Sequence, residues 1–217
     1  LLDGKKTAED IKNEIAAQVQ KMKNNGEKVP HLAAVIVGND GASLTYVGSK
    51  VKSCQQIGFE STLVVLPEDT SEVELLDKIK ELNEDADIDG FIVQLPLPKH
   101  IDEQKILMAI DSDKDVDGFH PVNIGRLVAQ QDGFVPATPA GIIEMLKREG
   151  ITIKGKNATM VGHSEIVGKP CALLLLNEWA TVSICHIETR NLKMHTIDAE
   201  ILVVAVGKPY LITEDMV

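Results

Sequence analysis

Aromatic residues make up only 3% of this 217-residue chain: four Phe, two Tyr and one Trp. A core built on ring stacking is excluded, so it must be aliphatic, and the abundant Val, Ile, Leu and Ala suit a buried parallel sheet. Cysteine is scarce as well. Cys54, Cys171 and Cys185 form no C-x-x-C pair and are odd in number, which excludes a disulfide framework or a thiolate metal centre and leaves three reduced, buried thiols. The six histidines show no H-x-x-x-H or H-E-x-x-H spacing, so no metal is assigned. Apolar runs are short: "ILVVAV" at 201–206 falls well below the roughly 20 residues of a membrane span. The opening "LLDGKKTAED" has no basic n-region, apolar h-region or small-residue cleavage site, and no initiator Met; the chain reads as intracellular, cytoplasmic, and trimmed or fragmentary. Basic residues are outnumbered, 22 Lys and Arg against 33 Asp and Glu for a net charge of −11, which disfavours nucleic acid as a partner.

What is present is an alternation of amphipathic helices with short apolar strands. An amphipathic segment at about 6–25 precedes "LAAVIVG" at 32–38, and "SLTYVGSK" at 43–50 then sets Tyr46 and Lys50 one helical turn apart, on one helix face. "STLVVLP" follows, then "SEVELLDKIKELNED", whose Ser71 and Glu74 have capping-box spacing, then "DGFIVQLPLP", a strand running into a proline-stiffened loop. This is βαβ order, and parallel strands gather active groups at their carboxyl ends, so the residues after "FIVQ" should border a cleft. Periodicity weakens between about 111 and 139, where Asp, Gly and Pro accumulate. The expected domains are therefore 1–139 and 140–217, with Thr138 capping a helix, Pro139 in its first turn and Gly150 as its stop.

A second βαβ unit begins with "NATMVG". "GHSEIVG" places Gly162 at a strand end and Gly168 six residues on, which lets backbone approach a pyrophosphate at a helix N-terminus, although it is not a full G-x-G-x-x-G. A carboxylate about 20 residues past such glycines holds the adenosine ribose. Glu188 lies 20 residues beyond Gly168 and follows the strand "TVSIC". Its ordinary alternative is a solvated loop glutamate.

"GASLTYVGSKVKSCQQIGF", "DGFIVQLPLP", "KDVDGFHPVNIGRL", "ATPAGI" and "GHSEIVGKP", in that order, resemble the methylenetetrahydrofolate dehydrogenase/cyclohydrolase family over essentially the whole chain. The resemblance implies two α/β domains: a catalytic, folate-binding domain and a Rossmann-like NAD(P)-binding domain, with tetrahydrofolate derivatives as substrates and chemistry in a cleft between the domains. It implies that Tyr46 stacks on the folate, that Lys50 is the acid/base, that Gln94 hydrogen-bonds the lysine beside Leu95 and Pro96, and that Asp117 anchors the pterin. An aromatic face suits a flat ring system, and a carboxylate can accept from two pterin donors. It further implies cofactor contacts from Gly162, His163, Ser164, Ile166, Val167, Gly168 and Glu188, and a homodimer formed through the second domain. Taken singly, Tyr46 and Lys50 read as surface packing, Asp117 as a turn residue and Gln94 as a polar strand end.

The chain departs from the family pattern at two places. His163 stands where most members carry Arg, and Ile187 with Glu188 where they carry Ser and a basic residue; these positions grip the 2′-phosphate of NADP. A fixed cationic fork has become an imidazole and a basic residue an acid, so NAD is expected over NADP. The resemblance also implies a further strand and a glycine-rich proline segment beyond "LITEDMV", by which standard the second domain is C-terminally incomplete. Three alternatives stay open: a dehydrogenase without cyclohydrolase activity, a protein that binds without turnover, and a short-chain dehydrogenase. In the last, the glycine-rich turn precedes the Tyr-x-x-x-Lys pair, whereas here it follows.

Overall fold

The computed structural model describes residues 2–39 and 41–217. Contacts within the chain divide it at residue 121, giving one compact unit over 4–121 and another that takes in 122–217. The boundary expected at Pro139 therefore falls inside a helix of the second unit rather than between units.

The first unit is built on three parallel strands, β1 (His31–Val37), β2 (Glu60–Leu66) and β3 (Gly90–Val93), in the order β2-β1-β3. Helices α1 (Gly4–Asn24), α2 (Gly41–Ile57), α3 (Glu72–Glu84) and α4 (Glu103–Ala109) complete it. Five consecutive residues of β1, Ala33 to Val37, are buried, as a strand covered on both faces requires. The period of two then sorts them. Ala33, Val35 and Val37 share one cluster with Leu75, Ile79 and Leu82 of α3 and with Phe91 and Val93. Ala34 and Ile36 share another with Val47 of α2 and Ile92. Phe91 is fully buried, a contribution of about 1.5–3 kcal/mol by area. The capping box of α3 is formed: the Ser71 hydroxyl accepts from Glu74 N, and the Ser71 backbone N–H donates to the Glu74 carboxylate at 2.8 Å.

The second unit repeats the plan with β4 (Asn157–Val161), β5 (Thr181–Cys185) and β6 (Ile201–Val204), all parallel, in the order β5-β4-β6. Its helices are α5 (Pro121–Val128), whose first residue belongs to the other unit, α6 (Ala137–Arg148), α7 (Gly168–Asn177) and the short α8 (Leu192–Thr196). Ala158 and Met160 pack with Ile143 and Leu146 of α6 and Cys171 and Leu175 of α7. On the other face Thr159 is buried and donates to the His195 carbonyl at 2.6 Å.

Three expectations are corrected. The stretch 111–139 is not wholly loop, because α5 forms there with proline at its first position, where the missing N–H costs nothing. Thr138 is the second residue of α6 rather than its cap; Pro136 takes that place, and no side chain caps the helix. The apolar run suggests a helix over "CALLLLNEWA", whereas α7 runs from Gly168 to Asn177. Gly150 does end α6, with φ +69° and its N–H on the Lys147 carbonyl. Among the described residues no helix is long and apolar enough to cross a membrane, and all three cysteines are buried and free.

Candidate active site

Helix α2 leaves the carboxyl end of β1, and its buried Val47 seats it on the sheet. Tyr46 and Lys50 then point the same way from the helix, and the Lys50 ammonium sits 4.8 Å from the Tyr46 ring centroid, within cation–π range. Asp117 arrives from a separate segment. Phe91 N donates to the Lys114 carbonyl at 2.9 Å and a parallel bridge joins Phe91 to Asp115, so residues 114–116 are laid against β3. That contact requires glycine at 90: a Cβ there would meet Val116 Cγ1 at 2.2 Å. Asp117 is thereby carried to Lys50, with Nζ 3.6 Å from Oδ1 and about three-quarters of each side chain buried.

The electrostatics of this pair are set by that burial. Desolvation pushes the Asp117 carboxyl up; the Lys50 ammonium opposes it, and the nearby Asp115 carboxylate reinforces it, so the net displacement is upward. Asp115 is itself buried, and its Oδ2 accepts from His120 N at 2.8 Å. The sequence offers only one sign of it, the alternation of acids in "KDVDG". Gln94 lies just past β3, with its N–H on the Val35 carbonyl. Its side-chain amide nitrogen donates to the Leu95 carbonyl at 2.6 Å, a bond within its own loop. Leu95 packs partly against the core, and the Leu95–Pro96 peptide is cis. Tyr46 is 57% exposed, leaving its ring open to a ligand.

In the second unit, Gly162 and Gly168 are brought into contact. A Cβ on Gly168 would meet the Gly162 carbonyl at 2.4 Å, and one on Gly162 would meet the Ala205 carbonyl at 2.5 Å, so both positions demand glycine for close approach. Between them, the Ser164 hydroxyl accepts from Val167 N and Gly168 N, each at 3.2 Å. Two amides at the start of α7 are thus satisfied by the Ser164 side chain, as in an N-capped helix. Ile166 is exposed on this turn. Glu188 is exposed three residues past β5, and its backbone N–H donates to His186 Nδ1 at 3.2 Å. His186, which sequence reasoning did not single out, lies with its ring centroid 5.2 Å from that of His163.

One further cluster was invisible to the search for paired histidines. His31, Glu60 and Asp87 bring ligand atoms within 4.8 Å of one another at the amino end of the first sheet. His31 is satisfied there, with Nδ1 2.9 Å from Asp87 and Nε2 2.8 Å from Thr62, which reads as a clamp between strand and loop.

Comparison with known proteins finds family matches in both parts of the chain. Residues 2–117 match the tetrahydrofolate dehydrogenase/cyclohydrolase catalytic domain, and residues 136–217 match the NAD(P)-binding domain of the same family. The chain is 60% identical over 221 aligned residues to the bifunctional protein FolD of Flavobacterium johnsoniae, covering all of this chain and 75% of that protein. The Porphyromonas gingivalis FolD protein is 52% identical over the same span and coverage. Among solved structures, the Campylobacter jejuni FolD enzyme superposes with a TM-score of 0.96 at 45% identity, over the whole of this chain and 77% of that one. A Trypanosoma brucei relative, solved with NADP and an inhibitor, gives 0.90 at 34% identity over 96% of this chain and 72% of its own. With both domain matches and full-length identity of this order, the chain belongs to the tetrahydrofolate dehydrogenase/cyclohydrolase family.

Proposed function

We propose that Tyr46, Lys50, Gln94 and Asp117 carry the two activities of this family in this chain: oxidation of 5,10-methylenetetrahydrofolate to the 5,10-methenyl form, and hydrolysis of that product to 10-formyltetrahydrofolate. The observation that carries the assignment is the convergence of Lys50 on Asp117 and on the Tyr46 ring from two separate segments. The exposed tyrosine face receives the flat pterin and aminobenzoate rings, and Asp117 accepts from the pterin's amino and ring N–H donors. Gln94, with Leu95 and Pro96, shapes the strand-end loop beside them.

In the oxidation, a hydride leaves the one-carbon bridge for the nicotinamide dinucleotide, which supplies that acceptor chemistry when bound. The residues at the second site fit such a ligand, because the paired glycines allow close backbone approach. In the hydrolysis, water adds to the cationic methenyl carbon and releases one proton to solvent, giving a neutral hydroxyl adduct; the bond from that carbon to N5 then breaks as the hydroxyl gives up its proton to become the formyl carbonyl, and N5 takes up a proton. Lys50 takes and returns that proton.

The preferred dinucleotide is NAD. His163 and Glu188 support this, since an acid and an imidazole offer a 2′-phosphate less than an arginine fork would. The reading includes a catalytic domain followed by a nucleotide domain, and a cytoplasmic homodimer. Following methenyl product by absorbance with NAD and NADP in parallel tests it: product forms with NAD at the higher kcat/KM, and a clear preference for NADP contradicts the cofactor assignment.

A further inference from the structure

The register of β1 on β2 sets His31 opposite Glu60, at the amino ends of two neighbouring strands. Asp87 reaches the same spot from the turn ahead of β3. Hydrogen bonds hold that turn to the strand: His31 N donates to Asp89 Oδ2 at 2.8 Å, and Asp89 N donates to the His31 carbonyl at 3.1 Å. Asp87 is fixed within the turn, its N–H on Asp85 Oδ1 at 2.8 Å. One imidazole and two carboxylates thus converge from three segments of one compact unit. The seven residues of β1, about 20 Å of strand, separate them from the carboxyl end of the sheet, where α2 and Gln94 follow.

His31 Nδ1 is 2.9 Å from Asp87 Oδ2 and 3.7 Å from Glu60 Oε2. A proton on Nδ1 serves only one of those carboxylates well, whereas a divalent cation serves both. Donor atoms 2.0–2.2 Å from a tetrahedral ion stand about 3.4 Å from one another, a value between the two separations. The carboxylates are exposed and can make that adjustment, while the imidazole, 12% exposed, is held. Its Nε2 lies 2.8 Å from the Thr62 hydroxyl, the kind of outer partner that orients a ligating histidine. A hydroxyl can donate or accept, so Nε2 can carry the ring proton when a metal occupies Nδ1, without movement of the ring. Asp85 and Asp89 add negative charge in the same turn, and the neighbouring Lys28 is tied to Asp89 at 2.7 Å.

We propose that His31, Glu60 and Asp87 bind a divalent transition-metal ion of the zinc type, with His31 Nδ1 and one oxygen of each carboxylate as ligands and water completing the shell. A mixed imidazole and carboxylate set suits Zn²⁺ better than Mg²⁺ or Ca²⁺, which take oxygen ligands. Three protein ligands on an exposed edge leave a position for water, as in an open zinc site. The search for paired histidines in the sequence could not register this set, which has one histidine and gathers its acids through strand register and a turn. Held there, the ion fastens the amino ends of β1 and β2 to the turn before β3, at the far end of the sheet from the Lys50–Asp117 pair.

The test is isothermal titration calorimetry of the whole chain with ZnCl₂, beside a proton–nitrogen correlation spectrum of its histidine rings. One Zn²⁺ should bind per chain, and the His31 Nδ1 resonance should move to a metal-bound position while Nε2 keeps its proton. An excess of Mg²⁺ should not displace the ion. In Glu60→Gln/Asp87→Asn, two exposed positions, affinity should fall by about a hundredfold or more, since loss of an outer-shell partner alone costs roughly 10- to 100-fold. Absence of binding up to about 1 mM Zn²⁺ overturns the proposal. So does equal affinity in the double variant, or binding that leaves His31 Nδ1 unmoved; ready displacement by Mg²⁺ overturns the assignment to a zinc-type ion.

Discussion

Lys50 Nζ and Asp117 Oδ1 lie 3.6 Å apart in surroundings that keep about three-quarters of each side chain from water. An exposed pair at this distance is worth little, about 0–1 kcal/mol, and such pairs are common on protein surfaces. This one differs because burial wins at Asp117: its carboxyl is pushed up despite the ammonium beside it. A charge that costs the fold something at neutral pH points to function rather than stability.

Asp117→Asn separates those two roles. The folded-state value of Asp117 lies above its ordinary 3.8, so the folded protein holds the proton more tightly than the unfolded chain does. Its favourable contribution is present below pH 3.8 and is lost as pH rises through the folded value. Asp117→Asn should therefore raise the thermal midpoint at pH 7, and the gain should vanish under acid conditions where the carboxyl is protonated in both states. The same change should raise the KM for the folate substrate about 10- to 100-fold through loss of a charge-assisted bond. Calorimetric melts at pH 3 and pH 7, with steady-state kinetics, check both.

Gly90→Ala tests how Asp117 is positioned. The new methyl would meet Val116 Cγ1 at 2.2 Å and the Lys114 carbonyl at 3.2 Å, so the 114–116 segment has to move off β3. Urea unfolding should show a loss of about 1–3 kcal/mol. KM for folate should rise by more than the value for a dinucleotide, because the displaced segment carries Asp117.

Ser71→Ala removes half of the capping box on α3, the helix that supplies Leu75, Ile79 and Leu82 to the core. A loss of about 1 kcal/mol in urea unfolding is expected, with kcat unchanged.

Much of this was legible in the sequence, for identifiable reasons. Buried parallel strands must be continuous apolar runs, so "LAAVIV" is found where its run places it, whereas the largely exposed edge strand "TVSIC" is legible from its β-branched residues. Tyr46 and Lys50 are local, four residues apart on one helix, and local spacing is what sequence encodes most directly. Helix α5 was missed because it is only eight residues long, amid Asp, Gly and Pro, although the proline at its first position is a start signal. The turn of Gln94 toward Leu95 is a side-chain torsion, which no spacing records. His163 and His186 are 23 positions apart and meet only through the register of β4 on β5. His31, Glu60 and Asp87 likewise meet only where strand ends gather.

Burial also predicts cysteine chemistry. The Cys171 thiol, with no exposed surface, is pushed up to about 11 by desolvation, so it is almost wholly protonated at neutral pH. It should react with a disulfide reagent only on unfolding, and thiol titration with and without denaturant checks this.

The most direct measurement is the rate of methenyltetrahydrofolate hydrolysis by Lys50→Met, taken alongside the affinity of the same variant for folate. A methionine is one atom shorter, keeps an unbranched apolar stem beside Tyr46, and can neither hold nor release a proton. Hydrolysis should fall by about a hundredfold to ten-thousandfold while folate binding stays measurable. Hydrolysis at the unaltered rate would contradict the assignment of Lys50 as the proton carrier, and with it the chemical meaning given to its pairing with Asp117.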